Sequence, residues 1–161
     1  MARWQFSVGL VPQVWLDSGG RVESLFGDEG HDLSEAWEGV QPVGLRERLN
    51  ALLPSQKSWS ESLSCWGDEQ GDDIHLMEDD GNIVDLSVRF DLRRPNMDFF
   101  ASIVEIAIDL DFGMLDLERQ CVIERTSRSL RRAAAHSETA RFVADPKAYI
   151  EDLAQRGPKT S

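Results

Sequence analysis

"DDIHLMEDDGNIVDLSVRFDLR", Asp72 to Arg93, is the stretch on which the fold reading turns. In its second half Val84, Leu86, Val88, Phe90 and Leu92 alternate with Asp85, Ser87, Arg89, Asp91 and Arg93. Successive side chains of an extended backbone point to opposite faces, so this period of two predicts a strand with one apolar and one polar face. Such a strand belongs to a sheet covered on one side only. The first half, Asp72 to Asp79, fits a partner strand with Ile74 and Leu76 on one face. Between them Asp80, Gly81 and Asn82 signal a hairpin, because Gly and Asn tolerate positive φ.

Outward from the hairpin the pattern alternates between helix and strand. Upstream, Leu45, Leu49, Leu52 and Leu53 recur at helical spacing and Pro54 stops that helix. Trp4, Phe6, Val8 and Leu10 share one face of an earlier strand that Pro12 ends. Residues 17–42, rich in Gly, Asp and Glu, read as a long connection with a short strand or helical turn inside, a length that is often functional. Downstream, Pro95 and Asn96 start a helix through about Asp111, with Met97, Phe100, Ile103, Val104, Ala107 and Leu110 as its buried stripe. "FGMLDLE" and "CVIE" read as short strands, and helices follow, the last capped by Asp145 with Pro146 at its first position. This order matches the split β-α-β arrangement of ferredoxin-like folds with an extra C-terminal helical piece. The expectation is a single α+β domain over 1–156, its mainly antiparallel sheet covered by helices on one face, with 157–161 as a frayed tail.

The net charge of −12 is uneven. Residues 1–80 carry 16 acids and 5 bases, net −11; residues 81–161 carry 13 and 12, net −1. A negative field repels nucleic acid and anionic membrane and attracts cationic partners. Two cysteines, Cys65 and Cys121, are too few for a disulfide framework. The opening residues do not read as a signal peptide and no segment reaches the apolar length of a membrane span, so a cytoplasmic location with reduced thiols is expected.

Catalytic constellations are missing from the pattern. His31, His75 and His136 lie in no metal-ligand spacing. An EF-hand frame on Gly71 puts Trp66 at position 1 and Met77 at position 12, and a frame on Gly81 puts Leu76 at position 1. No Walker A, GxSxG or GxGxxG motif occurs. No cofactor, metal site or catalytic residue is expected. Arg128, Arg131 and Arg132 share a helical neighbourhood that reads as a solvated face. Trp15, Trp37, Trp59 and Trp66 lie in or near loops beside acids, which suits either a protein-binding hot spot or the packing of a long loop.

From "SWSESLSCWGDEQGDDIHL" through "IVDLSVRFDLR" to "SETARFVADPKAYIEDL" the chain resembles a group of small, acidic, uncharacterised bacterial proteins. The shared pieces are Trp66-Gly67 ahead of an acidic hairpin, the Arg89, Asp91, Arg93 strand, and Ala140, Phe142-Val143 and Asp145-Pro146 in the closing helix pair. Some proteins of that type are suspected immunity proteins of bacterial toxin systems, and the resemblance implies that role. Together with the charge it leads to a non-enzymatic binding protein that neutralises a basic toxin. The candidate surface is Trp66, Asp68, Glu69, Asp72, Asp73, Glu78, Asp79 and Asp80. Two alternatives are a dimeric structural or regulatory protein, paired through the self-complementary row Arg89, Asp91 and Arg93, and a hydrolase using the acidic hairpin with a divalent metal.

Overall fold

Asp80 and Gly81 both take positive φ, 50° and 78°, the two-residue turn whose twist matches that of paired strands. In a computed structural model that describes residues 2–156, this turn joins two strands of a nine-strand set. In chain order they are β1 Gln5–Pro12, β2 Phe26–Gly27, β3 Gly30–His31, β4 Ser55–Gln56, β5 Leu63–Gly67, β6 Asp73–Asp79, β7 Asn82–Asp91, β8 Phe112–Asp116 and β9 Cys121–Ile123. The helices are α1 Gln13–Asp17, α2 Ser34–Trp37, α3 Leu45–Leu52, α4 Met97–Asp109, α5 Ser127–Ala135, α6 Glu138–Ala144 and α7 Pro146–Arg156. The expected tail at 157–161 lies outside the described residues. Among the described residues no helix is long and apolar enough to cross a membrane.

Seven strands form one antiparallel sheet in the order β4-β5-β6-β7-β1-β8-β9, and β2 pairs with β3 separately. This is the α+β class with a mainly antiparallel sheet. β7, α4 and β8 make a split β-α-β unit with β1 antiparallel between its strands. The chain between β1 and β6 does not form the single crossover helix of ferredoxin-like order: it lays β4 and β5 on the sheet edge first.

The sheet's register decides its faces. Trp66, Ile74, Val88 and Val8 oppose one another across β5, β6, β7 and β1, so they share a face, and all four are buried. α4 covers this face. Its N-cap Asn96 accepts the Phe99 amide at 3.2 Å, and Phe100 stacks on Phe90 with ring centroids 4.4 Å apart. α3 lies beside it, burying Leu45 and Leu49, and α5 adds Leu130 and Ala134.

One position departs from the simple alternation. Ile83 opposes Glu78 and Asp85 opposes Met77, so β7 carries an extra residue, Val84, in a bulge. Two residues facing one reset the alternation. Ile83 therefore enters the core, while Val84 lines the opposite face rather than joining Leu86, Val88 and Phe90.

The long connection at 17–42 is packed onto the domain. A 3₁₀ turn at Val22–Leu25, the β2–β3 hairpin and α2 bury Leu25, Leu33, Ala36 and Trp37. β1 pairs with β7 only as far as Gly9, and the next carbonyl, that of Leu10, accepts the Trp37 indole N–H at 2.9 Å. Trp37 thus closes the gap where the two strands part.

Candidate binding groove on the open sheet face

The other face of the sheet carries polar rows. Cys65, His75, Ser87 and Gly9 oppose one another across β5, β6, β7 and β1; Gly67, Asp73, Arg89 and Ser7 form the next row. The β2–β3 hairpin arches over one end and brings His31 and Asp32 to the rim. The hollow between has a volume of about 410 Å³, with Met77, Val84 and Leu117 as its apolar patches. An adjoining hollow of about 80 Å³ shares His75 and is flanked by Trp59, Cys65 and Glu69.

At the centre is a buried ion pair. Arg89 Nε donates to Asp73 Oδ1 at 2.7 Å and its Nη2 donates to Oδ2, a bidentate fork. His75 Nε2 lies 2.9 Å from Arg89 Nη2 and 3.1 Å from Asp73 Oδ2. Burial pushes the Asp73 carboxyl upward, but the contacts with His75 and Arg89 and the guanidinium's charge hold it below its ordinary value. A second pair latches the hairpin: His31 Nε2 lies 2.9 Å from Asp85 Oδ1, and Ser87 Oγ donates to Asp85 Oδ2 at 3.1 Å. The hydrogen bond to Asp85 raises the His31 pKa against the opposing effect of burial. Hydrogen bonds from Ser34 lower that of Asp32. With Arg89 spent on Asp73 and His31 on Asp85, Asp32 and Glu69 leave the groove an excess of negative charge over Lys57, which lines the hollow beside Trp59.

The residues singled out from the sequence separate into three groups. Trp66 is 2% exposed, with its indole N–H donated to Asn50 Oδ1 at 2.8 Å, so it is a core residue and not a surface anchor. Its strand position explains this: it shares the rung of Ile74 on the covered face. Asp73 is likewise 2% exposed and serves Arg89. Asp72, half-buried, accepts the Asp91 amide at 2.7 Å, and burial, with the nearby Asp91 and Asp73 charges, raises its pKa. These three do not present a surface to a partner. Asp68 and Glu69 are exposed at one end of β6, and Asp79 and Asp80 at the other, where Glu78 pairs with Arg46. A seven-residue strand holds its ends about 20 Å apart, so the acids form two patches.

The β5–β6 turn between Gly67 and Asp73 is lashed down. Gln5 Nε2 donates to the carbonyls of Glu69 and Gly71, and Trp4 and Arg93 both donate to that of Gln70. Gly67 has φ of 91°, and a Cβ there would meet the Asp72 carbonyl oxygen at 2.3 Å. Trp4 is only half-buried; the Arg93 guanidinium sits 4.0 Å from its ring. Arg93 also forks onto Asp91, through Nε and Nη2 at 3.0 Å each. The row Arg89, Asp91 and Arg93 is thus paired within the chain, which removes the feature that suggested a two-fold interface.

Trp59 is 85% exposed, unlike Trp15, Trp37 and Trp66. Sequence reasoning grouped it with the others and missed the His31–Asp85 latch altogether. The polar side of β7 pointed toward this face in advance, as did His75 between the buried Ile74 and Leu76 of β6. Among the described residues, no three His, Cys, Asp or Glu side chains converge to hold a metal ion. Comparison with protein families, with characterised proteins and with solved structures finds no match to this chain.

Proposed function

We propose that this protein is a non-enzymatic binding protein that takes a basic protein partner on the open face of its sheet. The observation that carries the reading is Trp59: a large aromatic side chain left 85% exposed, flanking the same hollow as Glu69 and His75. Aromatic anchors beside pockets dominate interface energies, and a surrounding field of opposite charge steers encounter. The net charge of −12 supplies that field, and Asp32 and Glu69 bring it to the groove, where they outnumber Lys57. An immunity protein masking the cationic active site of a toxin fits this chemistry. The cytoplasm is the compartment that such a role implies, and the free thiols of Cys65 and Cys121 agree with it.

The alternatives have less support. The dimer reading loses its charge row to internal pairs, and the acids offered for a metal-dependent hydrolase lie at opposite ends of β6.

The test is affinity capture from the source organism's lysate at low and at high salt, with wild type and variants in parallel. A basic protein should be retained at low salt and released at high salt. Trp59→Ala should cost about 2 kcal/mol of that binding, roughly thirtyfold, and the pair Asp32→Lys with Glu69→Lys should slow association. Capture that survives Trp59→Ala, or that depends on Asp79 and Asp80 instead, overturns this placement of the site.

A further inference from the structure

A second hollow lies on the helical side, where α5 and α6 meet the segment entering α4. It has a volume of about 370 Å³, within the range of small-molecule sites. Leu92, Met97, Phe100 and Val143 wall it, and Arg131 is the one charged residue in its lining. Its origin is in the sequence. Ala134, Ala135, Ala140 and Ala144 lie where α5 and α6 face this segment, and side chains that small cannot fill the space between the helices. Phe100 is held in place by stacking on Phe90, so the wall is preformed.

Arg131 sets the ligand's charge. Its Nε donates to the Ser127 carbonyl of its own helix at 3.2 Å, and among the described residues it takes part in no ion pair. The remaining donors of its fork are available to an anion. α5 contributes Arg128, Arg131 and Arg132 and contains no acid. An apolar cavity with a single planar cation matches a ligand that is apolar along most of its length and carries a carboxylate at one end.

We infer that the cleft between α4, α5 and α6 binds a small anionic amphiphile, its chain against Phe100 and Val143 and its carboxylate on Arg131. This site is separate from the groove on the open sheet face, and its occupation does not depend on the function proposed there.

The test is calorimetric titration of the full chain with decanoate, decanol and decylammonium. Decanoate should bind about tenfold or more tighter than decanol, the increment of a charge-assisted hydrogen bond, and decylammonium should be the weakest. Arg131→Gln should bring decanoate to the level of decanol, while Arg128→Gln, outside the lining, should leave it unchanged. Ala144→Leu, at an exposed lining position, should occupy the cleft and weaken decanoate and decanol alike. Circular dichroism and urea midpoints of each variant separate lost binding from lost fold. The inference is overturned if decanoate does not bind, or if Arg131→Gln or Ala144→Leu leaves its affinity unchanged. It is equally overturned if sedimentation shows two copies associating through the cleft, a contact that Ala144→Leu would break.

Discussion

Replacing Arg89 with methionine tests whether the centre of the open face is a true buried ion pair. Asp73 is 2% exposed, and its carboxylate is held by the two-pronged Arg89 fork and by His75. Removing the guanidinium leaves a carboxylate out of water with one partner in place of the fork. Breaking a buried pair from one side costs about 3–5 kcal/mol. The Arg89 side chain retains 11% exposure, which lets some solvent in and puts the expected loss near the lower end, about 3 kcal/mol. That is a large fraction of a typical domain stability of about 5–15 kcal/mol. Urea unfolding at pH 7, followed by tryptophan fluorescence, should show a lower midpoint at unchanged slope. The double variant Asp73→Leu with Arg89→Met, which removes both charges, should recover at least about 2 kcal/mol.

The same variant carries a pH signature. In the wild type the Asp73 carboxyl lies below its ordinary value of 3.8, so its contribution is present above pH 3.8 and is lost as pH falls through the folded-state value. Without Arg89, burial is opposed by His75 alone and the folded-state pKa rises above that of the wild type. The penalty of Arg89→Met is then relieved as Asp73 takes up a proton, and the gap between wild type and variant narrows from pH 7 toward pH 4. A gap below about 1 kcal/mol at pH 7, or one that stays constant with pH, refutes the buried-pair account.

Gly67→Ala should cost about 3 kcal/mol or more in the same urea assay, combining an unfavourable φ with the 2.3 Å approach to the Asp72 carbonyl oxygen. Gly81→Ala, with φ of 78° and open space around it, should cost only the conformational part, about 1–2 kcal/mol. Equal losses would show that the β5–β6 turn relaxes. Asn50→Ala should cost about 1–3 kcal/mol by leaving the buried Trp66 indole N–H without its acceptor, and should shift the fluorescence of the folded state. The His31–Asp85 latch has the opposite pH sense to Asp73. The folded-state pKa of His31 is raised above 6.5, so its stabilisation is complete below pH 6.5 and is lost as pH rises through the folded value. His31→Asn should remove that dependence, at most about 1 kcal/mol for so accessible a pair, in urea midpoints compared at pH 6 and pH 8.5.

Local patterns in the chain foretold much of the architecture. The alternation in β7 from Asp85 onward, the Asp80-Gly81 turn, the Asn96 cap and the Asp145-Pro146 start of α7 each depend on a few adjacent residues and reappear in place. The candidate surface was less legible. Trp66 and Asp73 were read as exposed because they sit among acids, yet β5–β6 pairing sends Trp66 to the covered face and β6–β7 pairing sets Asp73 opposite Arg89. Trp59 and Trp37 look alike as loop tryptophans, but one is exposed and the other donates to a carbonyl 27 residues away.

Periodicity, capping and charge act through neighbours and sums, so the class of the fold, its antiparallel hairpin, the ends of its longer helices and the sign of its field were legible in the chain, while the short α1 and α2 were not. The strand order, the bulge that turns Val84 outward, the pairing of Arg89 with Asp73 and the meeting of His31 with Asp85 emerge only once the chain is packed. Those depend on register and on contacts between residues more than 100 positions apart, such as Val8 and Asp116. No local pattern encodes them, since each follows from which face every strand must bury once the whole core packs.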